Sequence, residues 1–266
     1  MYETHYHRPS SVDEAVALFA KGSDSKYLAG GHTLIPVMKQ RLAAPSDVID
    51  LARIKELIGI EVSADALTIK AATTYYDITQ SADAKKAIPA IVHLTSVLGD
   101  PAVRHRGTIG GSLANNDPAA DYPAAVLALG ATIKTNKRTI AGDDFFKGLF
   151  TTALADDEII TAVSFPIPAK AAYAKMRHPA SRFALTGVFV AQTAAGEVRV
   201  AATGASQSGV IRVPVIEAAL KSNWSPAALD SVTISSGGML SDIHGSADYR
   251  ANLIKVMAQR AVAEAG

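Results

Sequence analysis

Val12, Ala15, Val16 and Phe19 recur at the spacing of one helical face, with Ser10 or Ser11 placed to cap it. KYLAGG then reads as a short strand running into glycines. Leu34, Met38 and Leu42 stand four apart, predicting a helix over Thr33 to Ala43 with one buried face, in which Pro36 fits only the first turn. DVIDL at 47–51 reads as a strand, and the alternation in LIGIEVS and ALTIKAAT predicts a hairpin turning at Ala64 and Asp65. Ile78 to Leu98 reads as helix in two pieces, interrupted by Pro89. Tyr122 to Leu129 predicts a short helix ended by Gly130, ATIKTNKRTIA a strand pair, and DEIITAVSFPIP one further strand. FVAQTAAGEVRVAATG reads as a hairpin turning at Ala195-Gly196, and DYRANLIKVMAQRAVAEA as a terminal amphipathic helix. Helices and strands are intermixed without a strict βαβ rhythm, which predicts an α+β fold.

At 266 residues the chain exceeds the roughly 100–200 residues of one domain, and the texture changes past Pro168, so a boundary is expected near residue 170. The net charge of +1, without a long basic run, argues against a nucleic-acid partner. Apolar runs such as AAVLALGA fall short of the ~18 residues a membrane span needs, and a cytoplasmic location is expected. There is no cysteine, which removes disulfides, thiolate nucleophiles and any iron–sulfur cluster carried by this chain. The seven histidines are scattered, and His5-x-His7 is expected in a frayed terminus, so a metal site has little support. GASQSG at 204–209 misses the G-x-S-x-G elbow of hydrolases by one residue.

One internal echo stands out. LAGGHTL at 28–34 and TIGGSLA at 108–114 share an apolar-Gly-Gly-polar pattern, with only two copies and no continuing period. A Gly-Gly turn at positive φ brings successive backbone N–H groups to one anion, most effectively beside a helix start. Thr33 is a candidate cap after the first pair; Ser112, Asn115 and Asn116 follow the second. Two such loops can flank one diphosphate, or each can be a plain tight turn. Neither G-x-G-x-x-G spacing nor G-x-x-x-x-G-K-[ST] occurs, so no Rossmann or P-loop site is indicated.

YLAGGHTLIPVMKQRLAAPSDVIDL and GDPAVRHRGTIGGSLANNDPAADYPAAVLALGA strongly resemble the FAD-binding medium subunits of molybdenum hydroxylases, the family of carbon monoxide dehydrogenase and of the xanthine dehydrogenase flavin domain. The likeness continues through DDEIITAVSFP, KMRHPASRFALTGV and GASQSGVIRVPVIEAAL to the last helix. The resemblance implies a vanillyl-alcohol-oxidase-type (PCMH) FAD-binding domain over 1–170, made of α+β subdomains of about 1–57 and 58–170. A small α+β flavoprotein C-terminal domain over 171–266 follows. It also implies that FAD is held noncovalently between the subdomains, with Leu28, Ala29, Gly30, Gly31, His32 and Thr33 and then Thr108, Ile109, Gly110, Gly111 and Ser112 wrapping its diphosphate.

By the same resemblance Asp121 accepts a hydrogen bond from a cofactor hydroxyl, its plainer role being to cap the helix at Tyr122. Ile160 packs near the flavin, or is ordinary strand core. Lys175, with Arg177 as the neighbouring candidate in the 175–178 segment, brings positive charge towards the ring, or is surface charge. His105, between Arg104 and Arg106, belongs either to a solvated loop or to a partner contact. The implied complex has a molybdopterin large subunit, an iron–sulfur small subunit and an electron acceptor that is NAD, oxygen or a quinone. The chain would relay electrons through FAD; the rival readings are a self-sufficient flavin oxidase and a scaffold that has lost FAD.

Overall fold

The computed structural model describes all residues 1–266. Three main sheets follow one another along the chain, and a two-stranded one accompanies the second. In the first unit β1 (His5–His7), α1 (Val12–Phe19), β2 (Ser25–Leu28), α2 (Leu34–Lys39) and β3 (Asp47–Asp50) form a small parallel sheet of order β1-β3-β2. Ser11 caps α1 by accepting from the Glu14 amide, and α1 buries Val12 and Ala15 against Ile49, Ile54 and Leu57. The HYH segment is therefore a paired edge strand and not a frayed end, and His7 Nε2 lies 2.7 Å from Asp47 Oδ1.

The second unit supplies β4 (Ile60–Val62), β5 (Ala66–Lys70), α3 (Tyr75–Gln80), α4 (Ala82–Ala87), α5 (Pro89–Ser96), α6 (Pro101–Arg104), α7 (Ile109–Asn115) and α8 (Tyr122–Leu129). It continues with β6 (Thr132–Thr135), β7 (Thr139–Ala141), α9 (Gly142–Phe145), β8 (Phe146–Gly148), β9 (Thr151–Thr152) and β10 (Ile160–Pro166). Its main sheet is antiparallel, β4-β5-β10-β6-β7. In the third, β11 (Lys170–Arg177), β12 (Ala184–Gln192), β13 (Val198–Ser206) and β14 (Gly209–Arg212) form an antiparallel meander, followed by α10 (Pro214–Ser222) and α11 (Ala247–Ala265). No helix is long and apolar enough to cross a membrane.

The second and third units share a core. Tyr122–Leu129 is apolar on every side and wholly buried, as a helix enclosed by protein must be. One face of the four-stranded sheet contributes Tyr173, Phe189, Ala191 and Ala201 to the cluster around α8. Its other face, with Ala172, Ala174, Val188, Val190, Val200 and Ala202, packs on α10 and α11. The strands β12 and β13 are covered on both faces, hence their nearly unbroken apolar runs.

Three sequence expectations are corrected. The helix after the first glycine pair ends at Lys39, Arg41 turns to positive φ, and Leu42 is 78% exposed and outside any core. Thr33 stands at the cap position of α2 but its side chain makes no capping bond. The helix expected over Ile78–Leu98 begins at Tyr75 and breaks twice, because Ser81 caps α4 by accepting from the Ala84 amide before Pro89 restarts the chain as α5.

Candidate functional site

A cavity of about 660 Å³, within the range of small-molecule sites, opens where the three units meet. Its walls carry Leu28–Leu34 from the first unit, Gly107, Thr108, Gly110–Ser112, Asp121 and Ile160 from the second, and Lys175 and Ser181–Phe183 from the third. The two glycine segments face it side by side. A Cβ on Gly30 would lie 2.3 Å from the Arg106 carbonyl oxygen and 2.9 Å from Gly107 Cα, so the backbones meet at a distance only glycine permits. Across the same seam a Cβ on Gly111 would meet Ala29 Cβ at 3.4 Å.

The two segments differ in conformation. Residues 29–33 form a loop in which Gly31 takes φ +79, and the amides of Ala29, Gly30, Gly31, His32 and Thr33 have no hydrogen-bond partner of ordinary geometry within the protein. Five consecutive free N–H groups on a cavity wall form a donor surface for an anion. The second glycine pair, by contrast, is not a loop: Gly110 and Gly111 lie in the first turn of α7 and neither has positive φ. Their amides are already engaged, Gly110 N–H donating to Ala71 O at 2.9 Å, Gly111 N–H to Thr108 Oγ1 at 3.1 Å and Ser112 N–H to Thr108 O at 3.0 Å. Gly110 is there because a Cβ would sit 2.6 Å from Ala71 Cβ, so it brings α7 against the end of β5. Ile109 points away from the cavity into the core and is fully buried. The other expected site residues, Leu28 to Thr33, Thr108, Gly110, Gly111, Ser112, Asp121, Ile160 and Lys175, all line the cavity.

Asp121 does not cap α8. Its side chain is 2% exposed, as is that of Lys175, whose Nζ lies 2.8 Å from Asp121 Oδ1. Tyr173 Oη donates to the same oxygen at 2.5 Å, leaving Oδ2 without a protein partner. Burial pushes the Asp121 carboxyl above its ordinary range, opposed by the Lys175 charge and by the hydrogen bond from Tyr173. Lys175 makes its ion contact without a well-angled hydrogen bond, so its ammonium keeps donor capacity at the cavity wall. Arg177 is exposed, so of the two basic candidates on β11 only Lys175 is in the wall. The loop leading to Asp121 is held by β13: Thr203 Oγ1 donates to Ala120 O at 2.7 Å and to Pro118 O at 3.0 Å, and Gly204 N–H donates to Pro118 O at 2.8 Å.

Glu158 and Tyr75 are among the lining residues that the sequence did not single out. Glu158, whose side chain is 1% exposed, accepts from Arg138 Nε and Nη2 at 3.0 Å each, from Thr135 Oγ1 at 2.7 Å and from the Ala155 amide at 3.0 Å. The Arg138 bond first, with the other donors, holds its carboxyl down at about 2 against burial. Its DDE context reads as surface. Tyr75, in the wall beside Gly107, has its hydroxyl pushed up to about 12 by burial. Outside the cavity, His105 is exposed and stacks on Tyr76 at 4.1 Å, while Arg104 Nη1 donates to Leu98 O at 2.8 Å. GASQSG forms the end of β13 and the turn into β14.

The family model described as "FAD binding domain in molybdopterin dehydrogenase" matches residues 2–168. The chain is 36% identical to the nicotine 6-hydroxylase medium subunit of Paenarthrobacter nicotinovorans, over 98% of this chain and 96% of the relative. It is 34% identical to the carbon monoxide dehydrogenase medium chain of Afipia carboxidovorans, with the same coverage of each. The fold superposes on a chain of a Cu,Mo-CO dehydrogenase with a TM-score of 0.90 and 32% identity, covering 100% of this chain and 98% of the other.

Proposed function

The chain belongs to the family of FAD-binding domains in molybdopterin dehydrogenases, and we propose that it is the FAD-holding medium subunit of a molybdenum hydroxylase complex. FAD would lie in the cavity between units 1–57 and 58–170, with residues of 171–266 closing one side. The observation that carries this reading is the run of five unpartnered amides over Ala29–Thr33, set across a backbone seam from Gly111.

Those amides hold the diphosphate, and Gly31 at φ +79 lets them converge on it. The first turn of α7 contributes a wall free of side-chain bulk at Gly110 and Gly111, the Thr108 and Ser112 hydroxyls, and the positive end of its peptide dipoles. Its amides keep their internal acceptors. His32, exposed in the first segment, contributes polar contact and not a covalent bond. Asp121 accepts from a cofactor hydroxyl through its free Oδ2. Ile160 and Leu28 exclude water from the apolar part of the wall. Lys175 holds a fixed positive charge in a dry site, where charge interactions are strong.

When bound, FAD supplies the redox chemistry, and the protein tunes it. With no cysteine the chain carries no iron–sulfur cluster, so electrons would come from an iron–sulfur small subunit served by a molybdopterin large subunit. They would leave to NAD, oxygen or a quinone. No side chain is needed as general acid or base for such a relay.

The full chain with its partner subunits is expected to release FAD on denaturation, read by chromatography and flavin fluorescence of the supernatant. A complex that releases no FAD and takes up none when it is added refutes the reading. Gly111→Val is expected to leave α7 folded but push the Ala29–Gly30 loop off its seam, with loss of FAD; full retention in that variant refutes the assignment of the seam. Co-purification of iron–sulfur and molybdopterin polypeptides tests the relay.

A further inference from the structure

Asp121 is held from behind by a residue that does not line the cavity. Tyr173 and Lys175 are two apart on β11 and so point to the same side of the sheet, towards the start of α8. Tyr173 is 1% exposed, packs its ring near Phe189 with centroids 6.1 Å apart, and donates its hydroxyl to Asp121 Oδ1. Room for that hydroxyl comes from the neighbouring strand. Gly187, the cross-strand partner of Lys175, would bring a Cβ within 2.2 Å of Tyr173 Oη if it had one. Glycine in the middle of a buried strand weakens it, and here it leaves a gap that the hydroxyl fills.

The consequence is geometric. With Oδ1 taken by Tyr173 and Lys175, the carboxylate plane is fixed and Oδ2 is the oxygen left for a ligand. Lys175 is tied to the same oxygen, so both cavity-facing groups depend on one buried donor.

We propose that Tyr173 is a positioning residue for FAD: through its hydroxyl it fixes the plane of the Asp121 carboxyl, and thereby the place of the Lys175 ammonium at the cavity wall. This rests on the FAD-binding reading above. The groups that bear on Asp121 are Lys175, Tyr173, Arg177, and the buried Tyr75 and Tyr122, whose own hydroxyls are pushed up mainly by burial. Of these only Lys175 and Tyr173 bond it. Removing a bond that favours the ionised form makes the carboxyl take up its proton at higher pH.

The test is the FAD dissociation constant of the complex as a function of pH. Tyr173→Phe keeps the ring, and is expected to weaken FAD about tenfold at neutral pH, the scale of one hydrogen bond to a charged group. It is also expected to move upward the pH below which affinity falls. A merely structural role would weaken binding equally at every pH. Gly187→Ala, which displaces the hydroxyl without deleting it, is expected to give the same upward movement. In an Asp121→Asn background, Tyr173→Phe is expected to add no pH-dependent change. Wild-type affinity in Tyr173→Phe, or weakening with the pH midpoint unmoved in both single variants, overturns the positioning role. Wild-type complex that binds no FAD overturns the functional reading itself.

Discussion

Among single residues Glu158 carries the clearest stability consequence. Its carboxyl is buried, accepts four hydrogen bonds, and is held down to about 2 from an ordinary 4.5, chiefly by Arg138. A depressed carboxyl contributes stability that is complete above the unfolded value and is lost as pH falls through the folded one. The loss therefore falls between about pH 4.5 and pH 2. Glu158→Gln is expected to cost about 2 kcal/mol at neutral pH and to flatten that part of the acid limb, measured by urea unfolding at a series of pH values. The glycines make a second residue-scale contrast. Gly30→Ala places a Cβ on a carbonyl that cannot move away, and is expected to destabilise by about 1–3 kcal/mol. In Gly111→Ala the nearest atom is the Thr108 hydroxyl at 3.0 Å, and the expected cost is below about 1 kcal/mol. Equal losses in thermal or urea unfolding would refute the backbone seam.

Among elements, local signals were legible where they are local. The Ser11 cap, the hairpin at Ala64-Asp65, the close of α8 at Gly130 with φ +60, and the turn at Gly196 with φ +85 all stand where residue chemistry puts them. The glycine echo pointed to one place, and both copies line one cavity. Sequence similarity did not carry conformational similarity: one copy is a loop, the other a helix start, because Thr108 stands before its glycines and caps them into α7, whereas Leu28 at the matching place has no side-chain acceptor. The error at Leu42 has the same kind of cause, since a four-residue spacing continues past the point where Arg41 turns the backbone. Ile109, the first residue of α7, turns into the core, so the resemblance holds at the wall for its neighbours and not for it. Tyr173 was not legible at all, because its partner lies 52 residues away and only the packed sheet brings them together.

At the scale of the whole molecule, β10 ends at Pro166, β11 begins in another sheet at Lys170, and the family match ends at 168. The core does not end there. Tyr173, Phe189, Ala191 and Ala201 complete the cluster around α8, and Thr203 and Gly204 hold the loop that carries Asp121. Removing residues 170–266 would expose one side of a helix that is apolar all round. Each large side chain so uncovered is worth about 1.5–3 kcal/mol, and several together approach the ~5–15 kcal/mol that keeps a domain folded. A fragment of residues 1–168 is therefore expected not to reach a native fold, giving poorly dispersed amide resonances and rapid proteolysis. The full chain is expected to lose its second and third units in one calorimetric transition, with Ala128→Leu, an overpacking change at their common helix, lowering that transition without splitting it. Two separated transitions, or a stable 1–168 fragment, would mean that α8 is covered well enough without β12 and β13.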